Sequence, residues 1–375
     1  MNNQPVAKQR FEFIDQFRGF VGILMLIGHC SYYFNSVWLD LDPLAPHFDS
    51  LAQFLLRYFG YLCAPGFLMM NGAMVWWFYD RRIAKGTSRW QISRNLIERG
   101  LFLVIVQMTW VNSSWGGFRV LRPWHFGVIS CIGLSMICLT LVVHWRWHYR
   151  LMLATGILLV HPFLLEIPYD PNSTEAGAAF TRVVMQTFID SGKFNKYPLL
   201  PWFAMAILGS VMATCWLQLW KTDSERIRKS LPIAAGGFLT AFLIRLGGGY
   251  GNLFPYANVG DWDFFMDQKY PPSLFISLWF FAAVVTMVTL MIVIGRIAPR
   301  ALAVFSVPGK VPLFFYAVHL AFLGVFIKRT GFMYREGGVV ESLIASAVML
   351  AIMLPLCNWF YGVRNRSSNY FVRMM

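Results

Sequence analysis

A stripe of polar residues lies on one face of the first apolar segment of the chain. Asp15, Arg18, Gly22 and His29 follow one another there, with Arg18 and His29 separated by 11 residues. At about 100° per residue this separation is three helical turns plus about 20°, so both side chains project from one face of a helix. The stripe rises about 16 Å from Arg18 to His29. Ionisable groups at that depth in an apolar segment need a partner or a watery cavity.

Two interpretations of this stripe remain open from the residues alone. Asp15 and Arg18 have the spacing of an ion pair that stabilises a helix end, and His29 has the character of an imidazole hydrogen-bonded to a neighbouring helix. Alternatively, His29 is a general base, because an imidazole takes up and releases protons near neutral pH. Gly22, which lacks a side chain, would leave room beside the stripe for a slender substrate.

Three further residues have side chains that suit a site in the same region. Asn71 follows Pro65 in an apolar segment, and Pro65 frees a backbone carbonyl nearby by interrupting the helical hydrogen bonds. Tyr316 and His319 are one helical turn apart, and His319 lies about 10 Å beyond Pro312 along a helix. These residues either connect helices by hydrogen bonds or orient His29 and stabilise developing charge.

Composition shows which elements must position these residues. Of the 375 residues 57% are hydrophobic and only 13% are charged, whereas soluble domains carry about 25% charged residues. The charges lie in short runs between apolar stretches of about 18–25 residues, the length that crosses a bilayer. This pattern excludes a soluble globule, a disulfide scaffold and a disordered tail. It predicts an all-α, polytopic integral membrane bundle.

About ten membrane-spanning helices are predicted. The first is predicted to be retained as a span and not to be a cleavable signal peptide. The predicted ranges are 17–37, 52–78, 95–112, 125–143, 151–167, 198–220, 231–247, 273–295, 312–328 and 338–360. Most lysines and arginines then fall on the side of the N-terminus, which by the positive-inside rule is the cytoplasm. Both termini are therefore predicted to be cytoplasmic, and the two longest loops, 168–197 and 248–271, to face the exterior or periplasm.

The same distribution explains the net charge of +14. Because the basic excess follows membrane topology, no nucleic-acid partner is predicted. The six cysteines lie in apolar stretches without a CxxC pair, so no metal site is expected. Without repeats or long linkers, residues 1–375 are predicted to form a single domain, with 1–16 as a cytoplasmic N-terminus and 361–375 as a basic cytoplasmic tail.

Several short motifs, in order along nearly the whole chain, resemble one enzyme family. They are Ile14-Asp15-x-x-Arg18-Gly19, Arg18-x10-His29, Cys63-Ala64-Pro65-Gly66-Phe67, Leu200-Pro201-Trp202 with Gly209, Lys269-Tyr270-Pro271-Pro272-Ser273-Leu274 and Val311-Pro312-Leu313-Phe314-Phe315-Tyr316-x-x-His319. Together they resemble the bacterial relatives of heparan-α-glucosaminide N-acetyltransferase. The Arg18-x10-His29 spacing is also similar to the wider class of integral-membrane acyltransferases that modify surface glycans.

The resemblance implies transfer of an acyl group, usually acetyl, from cytoplasmic acyl-CoA to a carbohydrate amine or hydroxyl on the other side of a membrane. It implies a catalytic histidine, and the spacing assigns that role to His29, with Asn71 and His319 as its helpers. The animal enzyme differs, since its reactive histidine lies in the first external loop. His47 occupies that loop here and is the alternative base.

A CoA donor needs cationic groups for its phosphates at the cytoplasmic mouth of the site. Arg18, Lys310, Arg94 and Arg99 are the candidates. Asp15, the predicted partner of Arg18, and Gly22, beside which the pantetheine arm would pass, complete the predicted donor site. Aromatic, amide and carboxylate side chains in the external loops suit a sugar acceptor, although interfacial aromatic residues also form membrane belts.

Two other functions compete with an acyltransferase located in a bacterial inner membrane. A transporter or flippase would use the intramembrane ionisable groups as a proton relay, but buried carboxylates, common in such relays, are nearly absent. A structural or assembly subunit would insert without binding acyl-CoA. Direct transfer in a ternary complex and a route through an acyl-histidine both remain open, and a homodimer is compatible with the sequence.

Overall fold

The described part of the chain is helical and contains no β-sheet. The computed structural model describes residues 11–38, 48, 50–121, 124–172 and 176–375. Its α-helices, in chain order, are α1 (Glu12–Phe34), α2 (Leu51–Gly60), α3 (Cys63–Ile83), α4 (Arg89–Val106), α5 (Asn112–Trp115), α6 (Val128–Val142), α7 (Trp147–Leu164), α8 (Ala176–Phe188), α9 (Leu199–Ala213), α10 (Asp223–Gly247), α11 (Leu274–Ile297), α12 (Ala303–Lys310), α13 (Pro312–Phe322), α14 (Val339–Arg366) and α15 (Tyr370–Met374). The all-α class is therefore confirmed.

Five helices in the described residues are long and apolar enough to cross a membrane. They are Glu12–Phe34, Leu199–Leu219, Asp223–Gly247, Leu274–Ile297 and Val339–Arg366. A sixth span is formed if Pro299–Lys310 and Pro312–Lys328, which meet at 80°, are one broken segment. Other predicted spans coincide with helices that are shorter or less apolar, such as α6. The count of about ten and the side on which the termini lie stay predictions.

One predicted span is interrupted, and another begins at a sharp bend. The predicted helix 52–78 is divided into α2 and α3, which are separated by Tyr61 and Leu62. At the bend before the predicted span 312–328, Val311 adopts φ −134° and ψ 53°, and Pro312 occupies the first turn of α13. Proline lacks an N–H and fixes φ near −65°, so it starts a helix but cannot continue one. The resulting bend turns α13 toward α1.

Two helix crossings are closer than any side chain would allow. A Cβ on Gly309 of α12 would lie 1.7 Å from the carbonyl oxygen of Asp15 in α1, and one on Gly19 would lie 1.8 Å from that of Phe305. In the same way Gly72 of α3 meets α9 opposite Gly209. Small residues at such crossings let backbones approach within van der Waals contact. The first crossing fixes the start of α13 relative to α1.

Substitution of Gly309 with alanine should lower the stability of the protein and disturb the contact between α1 and α13. The added methyl group cannot be accommodated without moving two backbones apart, which costs about 1–3 kcal/mol in packed helices. The melting temperature of purified protein measures this effect. Gly156→Ala in α7 is the matched control, because a Cβ there meets nothing within 4 Å. If Gly309→Ala had the same melting temperature as the wild type, the close approach of α1 and α12 at Gly309 would be refuted.

Candidate active site

Two histidines from distant parts of the sequence form a hydrogen-bonded pair. His29 lies near the end of α1, and His319 lies two turns into α13. Their nitrogens Nδ1 and Nε2, respectively, are 2.9 Å apart. His319 is fully buried, whereas His29 is half-buried. The pair therefore has one fully buried member and one partly exposed member.

The hydrogen bonds of the pair define where its protons lie. The other ring nitrogen of His319, Nδ1, is 2.6 Å from the carbonyl oxygen of Phe315. Since a carbonyl only accepts, Nδ1 of His319 carries the proton and donates. Nε2 of a neutral His319 then has a lone pair and accepts from Nδ1–H of His29. This series of hydrogen bonds leaves Nε2 of His29 with the lone pair that a general base requires.

Aromatic rings fix the orientation of the His29 imidazole. The ring of Trp115 lies 5.0 Å from it, and that of Tyr316 lies 5.5 Å from it, both edge to face. Trp115 is itself held by stacking on Tyr33 at 5.8 Å, and its carbonyl oxygen accepts a hydrogen bond of 2.7 Å from Lys328 Nζ. His29 is thus bounded by His319, Trp115 and Tyr316.

A cavity of about 320 Å³ leads to this pair from the N-terminal end of α1. Along α1 its lining extends from Arg18 to Met25, one turn before His29, and on α13 it reaches Tyr316. Its remaining walls come from α3, α4 and α6, with Arg364 and the C-terminal residues closing it. The lining is mostly apolar, with three arginines, Arg18, Arg99 and Arg364. The cavity combines mostly apolar walls with a cationic end.

Three of the residues predicted from the sequence line this cavity. Arg18 does so while its Nη1 lies 3.4 Å from Asp15 Oδ1, as the spacing of the two residues predicted. Arg99 and Asn71 are the other two. The Nδ2 of Asn71 donates to the carbonyl oxygen of Ile132 at 3.3 Å. Arg18 of α1 and Asn71 of α3 therefore line the same cavity.

Other predicted donor residues lie elsewhere. Gly22 faces the ring of Phe315, which a Cβ would contact at 3.6 Å, so the space beside Gly22 is filled by that side chain. Arg94 is exposed and pairs with Glu98 at 2.9 Å. Lys310 Nζ lies 5.3 Å from the centroid of the Tyr361 ring. None of these three residues belongs to the lining of the cavity. His47 lies outside the described residues.

Two cationic residues near the site were not identified from the sequence. Arg364 belongs to the basic C-terminal segment, whose charge was attributed to topology. Lys269 belongs to a motif to which no role was assigned, and it lies close enough to His29 to interact electrostatically. Lys269 Nζ donates to the carbonyl oxygen of Gly60 at 2.9 Å and lies 4.8 Å from the Tyr61 ring.

The loop before α11, which carries Lys269, is held by a buried ion pair. Arg245 Nη1 lies 3.6 Å from Asp267 Oδ2, and neither side chain is exposed. Arg245 also donates to the carbonyl oxygens of Phe254, Asp263 and Phe264. Because a buried charge needs such partners, this network fixes the loop just before Lys269. Within the described residues no cluster of His, Cys, Asp and Glu could hold a metal ion.

Comparison with known proteins identifies the family. No curated protein matches the chain. A family model described as heparan-alpha-glucosaminide N-acetyltransferase, catalytic, matches residues 10–242. That range is more than half of the chain and contains Arg18, His29, Asn71 and Arg99, whereas His319 lies beyond it. The match indicates a transferase with acetyltransferase-type activity, and the apolar helices indicate an integral membrane protein. The chain thus belongs to the heparan-alpha-glucosaminide N-acetyltransferase family.

Proposed function

We propose that the protein transfers an acyl group, principally acetyl, from cytoplasmic acyl-CoA to an amine or hydroxyl of a carbohydrate on the opposite side of the membrane. One observation carries this proposal. A cavity with a cationic end leads along α1 to within one helical turn of His29, whose Nε2 is left with a lone pair by the hydrogen bonds of the histidine pair. Phosphates bind arginine clusters, and a thioester arm fits a narrow apolar channel.

The donor binds with its phosphates near Arg18 and Arg99 and its pantetheine arm in the apolar part of the cavity. The thioester then lies at the inner end, near Asn71 and Tyr316. The acceptor approaches His29 from the side of Trp115 and Lys269. In this arrangement the membrane protein holds two substrates that never share one aqueous compartment.

His29 acts as the general base in this mechanism. Its Nε2 removes a proton from the acceptor amine or hydroxyl as the acceptor atom attacks the thioester carbonyl. Asn71 stabilises the oxyanion of the tetrahedral intermediate. The intermediate collapses by breaking the carbon–sulfur bond, and the departing CoA thiolate takes the proton from His29. The ring nitrogens of His319 are both engaged, so His319 is a positioning residue that keeps the proton of His29 on Nδ1.

The mechanism is direct transfer in a ternary complex. Its rival forms an acyl-His29 intermediate, releases CoA before the acceptor binds, and then acylates the acceptor. Incubation with labelled acetyl-CoA in the absence of acceptor separates the two. Direct transfer leaves the protein unlabelled, while a stable labelled protein would refute it.

The membrane arrangement that we propose has about ten spans in a single domain, with both termini in the cytoplasm. The positive-inside distribution of lysine and arginine supports it. A bacterial inner membrane is the proposed location, since acyl-CoA is cytoplasmic and the acceptor is an envelope glycan. Membrane lipids and the carbohydrate acceptor are the proposed partners.

Release of free CoA from acetyl-CoA by detergent-purified protein tests the proposed function. Release should depend on an acceptor mixture of envelope glycans, and acetyl-CoA should raise the melting temperature as expected of a bound ligand. If neither effect appears with acetyl-CoA or longer acyl-CoAs, the acyltransferase is refuted. Movement of a substrate into proteoliposomes without acyl-CoA would then favour a transporter.

Replacement of Arg99 with methionine should raise the KM for acetyl-CoA about tenfold, because one charged contact to a phosphate is worth about 1.4 kcal/mol or more. S-acetylpantetheine lacks the nucleotide and its phosphates, so its KM should change little. Steady-state kinetics with both donors measures the difference. Arg89→Met, an exposed cation at the start of the same helix, is the matched control. An equal loss with both donors would refute the phosphate contact.

A further inference from the structure

The short C-terminal helix α15 covers the cationic end of the cavity. Met374 and Met375 line the cavity together with Arg364, which precedes α15 at the end of α14. The helix begins after Asn369, whose side chain accepts hydrogen bonds from the backbone N–H groups of Phe371 and Val372 at 2.9 and 3.2 Å. This cap makes α15 a small unit of its own, joined to α14 by residues 367–369.

Both apolar and polar contacts hold α15 in place. Val372 and Met375 are partly buried and pack against a hydrophobic core cluster. Tyr370 donates a hydrogen bond of 2.7 Å from its hydroxyl to Glu98 Oε2 in α4, and the ring of Phe371 lies 6.3 Å from that of Phe102. Glu98 in turn pairs with Arg94. Tyr370 and Phe371 are 54% and 63% exposed. A five-residue helix with two such exposed side chains opens locally at lower cost than the helices of the core.

The size of the cavity favours such an opening for the proposed donor. Its volume of about 320 Å³ is at the lower end of the range of ligand pockets, about 300–1,000 Å³. The pantetheine arm of acyl-CoA would fill this space, and phosphates that contact Arg364 would occupy the end lined by Met374 and Met375. We therefore expect a donor that enters at this end to displace α15.

We propose that residues 367–375 form a gate over the donor cavity, held shut by the hydrogen bond between Tyr370 and Glu98. The gate opens to admit acyl-CoA and moves aside from Arg364, which then faces the phosphates together with Arg18 and Arg99. The identity of the entering molecule rests on the proposed function, while the gate itself rests on the packing of α15.

Cysteine labelling measures opening without any substrate. A Met74→Cys variant places a thiol in the cavity lining, and its reaction with a membrane-impermeant maleimide is compared with that of protein lacking the added cysteine, since the six native cysteines give a background. Adding Tyr370→Phe should speed labelling of Cys at position 74 about tenfold, and deletion of residues 370–375 should speed it further. Tyr149→Phe, which removes another exposed tyrosine hydroxyl, should leave the rate unchanged.

The outcomes separate the gate from the donor assignment. Labelling that is equally slow in all variants, with unchanged melting temperatures, overturns the gate. Faster labelling in Tyr370→Phe that acetyl-CoA suppresses supports both the gate and the donor. Faster labelling that millimolar acetyl-CoA does not affect supports the gate and overturns acyl-CoA as the molecule it admits. As a second readout, Tyr370→Phe should raise both the association and the dissociation rate of acetyl-CoA.

Discussion

Replacement of His29 with glutamine is expected to lower kcat for acyl transfer by about 10²–10⁴-fold, the contribution typical of a general base. Glutamine preserves much of the side-chain volume and polarity but cannot take the proton of the acceptor. Because the lining of the proposed donor cavity ends one helical turn before His29, the affinity for acetyl-CoA should stay close to that of the wild type. Single-turnover rates and equilibrium binding of acetyl-CoA to purified protein measure the two effects separately.

The control for this variant is His144→Gln. His144 is exposed at the turn between α6 and α7, so its replacement should change neither kcat nor the melting temperature. If His29→Gln is folded and retains wild-type kcat, His29 is not the base. His47, the alternative base predicted from the sequence, would then be the next residue to replace.

Replacement of His319 with leucine is expected to lower kcat by about 10²–10³-fold. Without His319 the hydrogen bond that keeps the proton of His29 on Nδ1 is lost, and the wrong tautomer becomes accessible. In a Ser-His-Asp triad the corresponding loss of orientation costs about 10⁴-fold, and a neutral histidine partner should contribute less than a carboxylate. His319→Gln retains an oxygen near the position of Nε2, which can accept from His29, so it should recover part of the lost rate.

The difference between the glutamine and leucine variants tests the positioning role. Both should leave the KM for acetyl-CoA close to its original value, because His319 does not line the cavity. His161→Gln controls for removal of a buried histidine, since His161 is 2% exposed and hydrogen-bonds to the backbone carbonyl oxygen of Ile189. Equal losses in His319→Gln and His319→Leu, with unchanged melting temperatures, would refute a role through the tautomer.

The parts of the site that helical geometry determines could be predicted from the sequence. The spacing of Arg18 and His29 places both on one face of α1, and the structure has Arg18 in the cavity and His29 one turn beyond its lining. The spacing of Pro312 and His319 predicts that His319 lies at a depth comparable to that of His29. In the structure the two imidazole rings are within hydrogen-bond distance of each other. Both inferences depend only on residues within one helix.

Features that depend on how helices meet could not be predicted. Arg94 and Arg99 are five residues apart, which on a helix separates them by about 140°, so only one can face the cavity, and the sequence does not say which. Gly22 was expected to leave an open channel, but the bend at Pro312 brings Phe315 against it. Arg364 is far from the other arginines in the sequence, and its charge was indistinguishable from that of a cytoplasmic tail.

The helical class follows from composition, whereas the number of spans does not. Hydropathy merges α2 and α3 into one segment because Tyr61 and Leu62, between them, are as apolar as their neighbours. Conversely, α4 contains Arg94, Glu98 and Arg99, which lower its hydropathy although it forms one wall of the cavity. Polar residues that serve a site thus weaken the signal by which a membrane helix is recognised.

In the proposed mechanism a donor and an acceptor from opposite sides of a membrane meet at His29, and transfer in proteoliposomes is the measurement that tests this meeting. Labelled acetyl-CoA is sealed inside the vesicles and a membrane-impermeant, glucosamine-terminated oligosaccharide is added outside. A second sample has the reverse arrangement, and a third has both substrates outside. We expect acetylated oligosaccharide only when the two substrates are on opposite sides, with free CoA on the donor side and no product from His29→Gln. Product that forms only when both substrates are on the same side would contradict the claim.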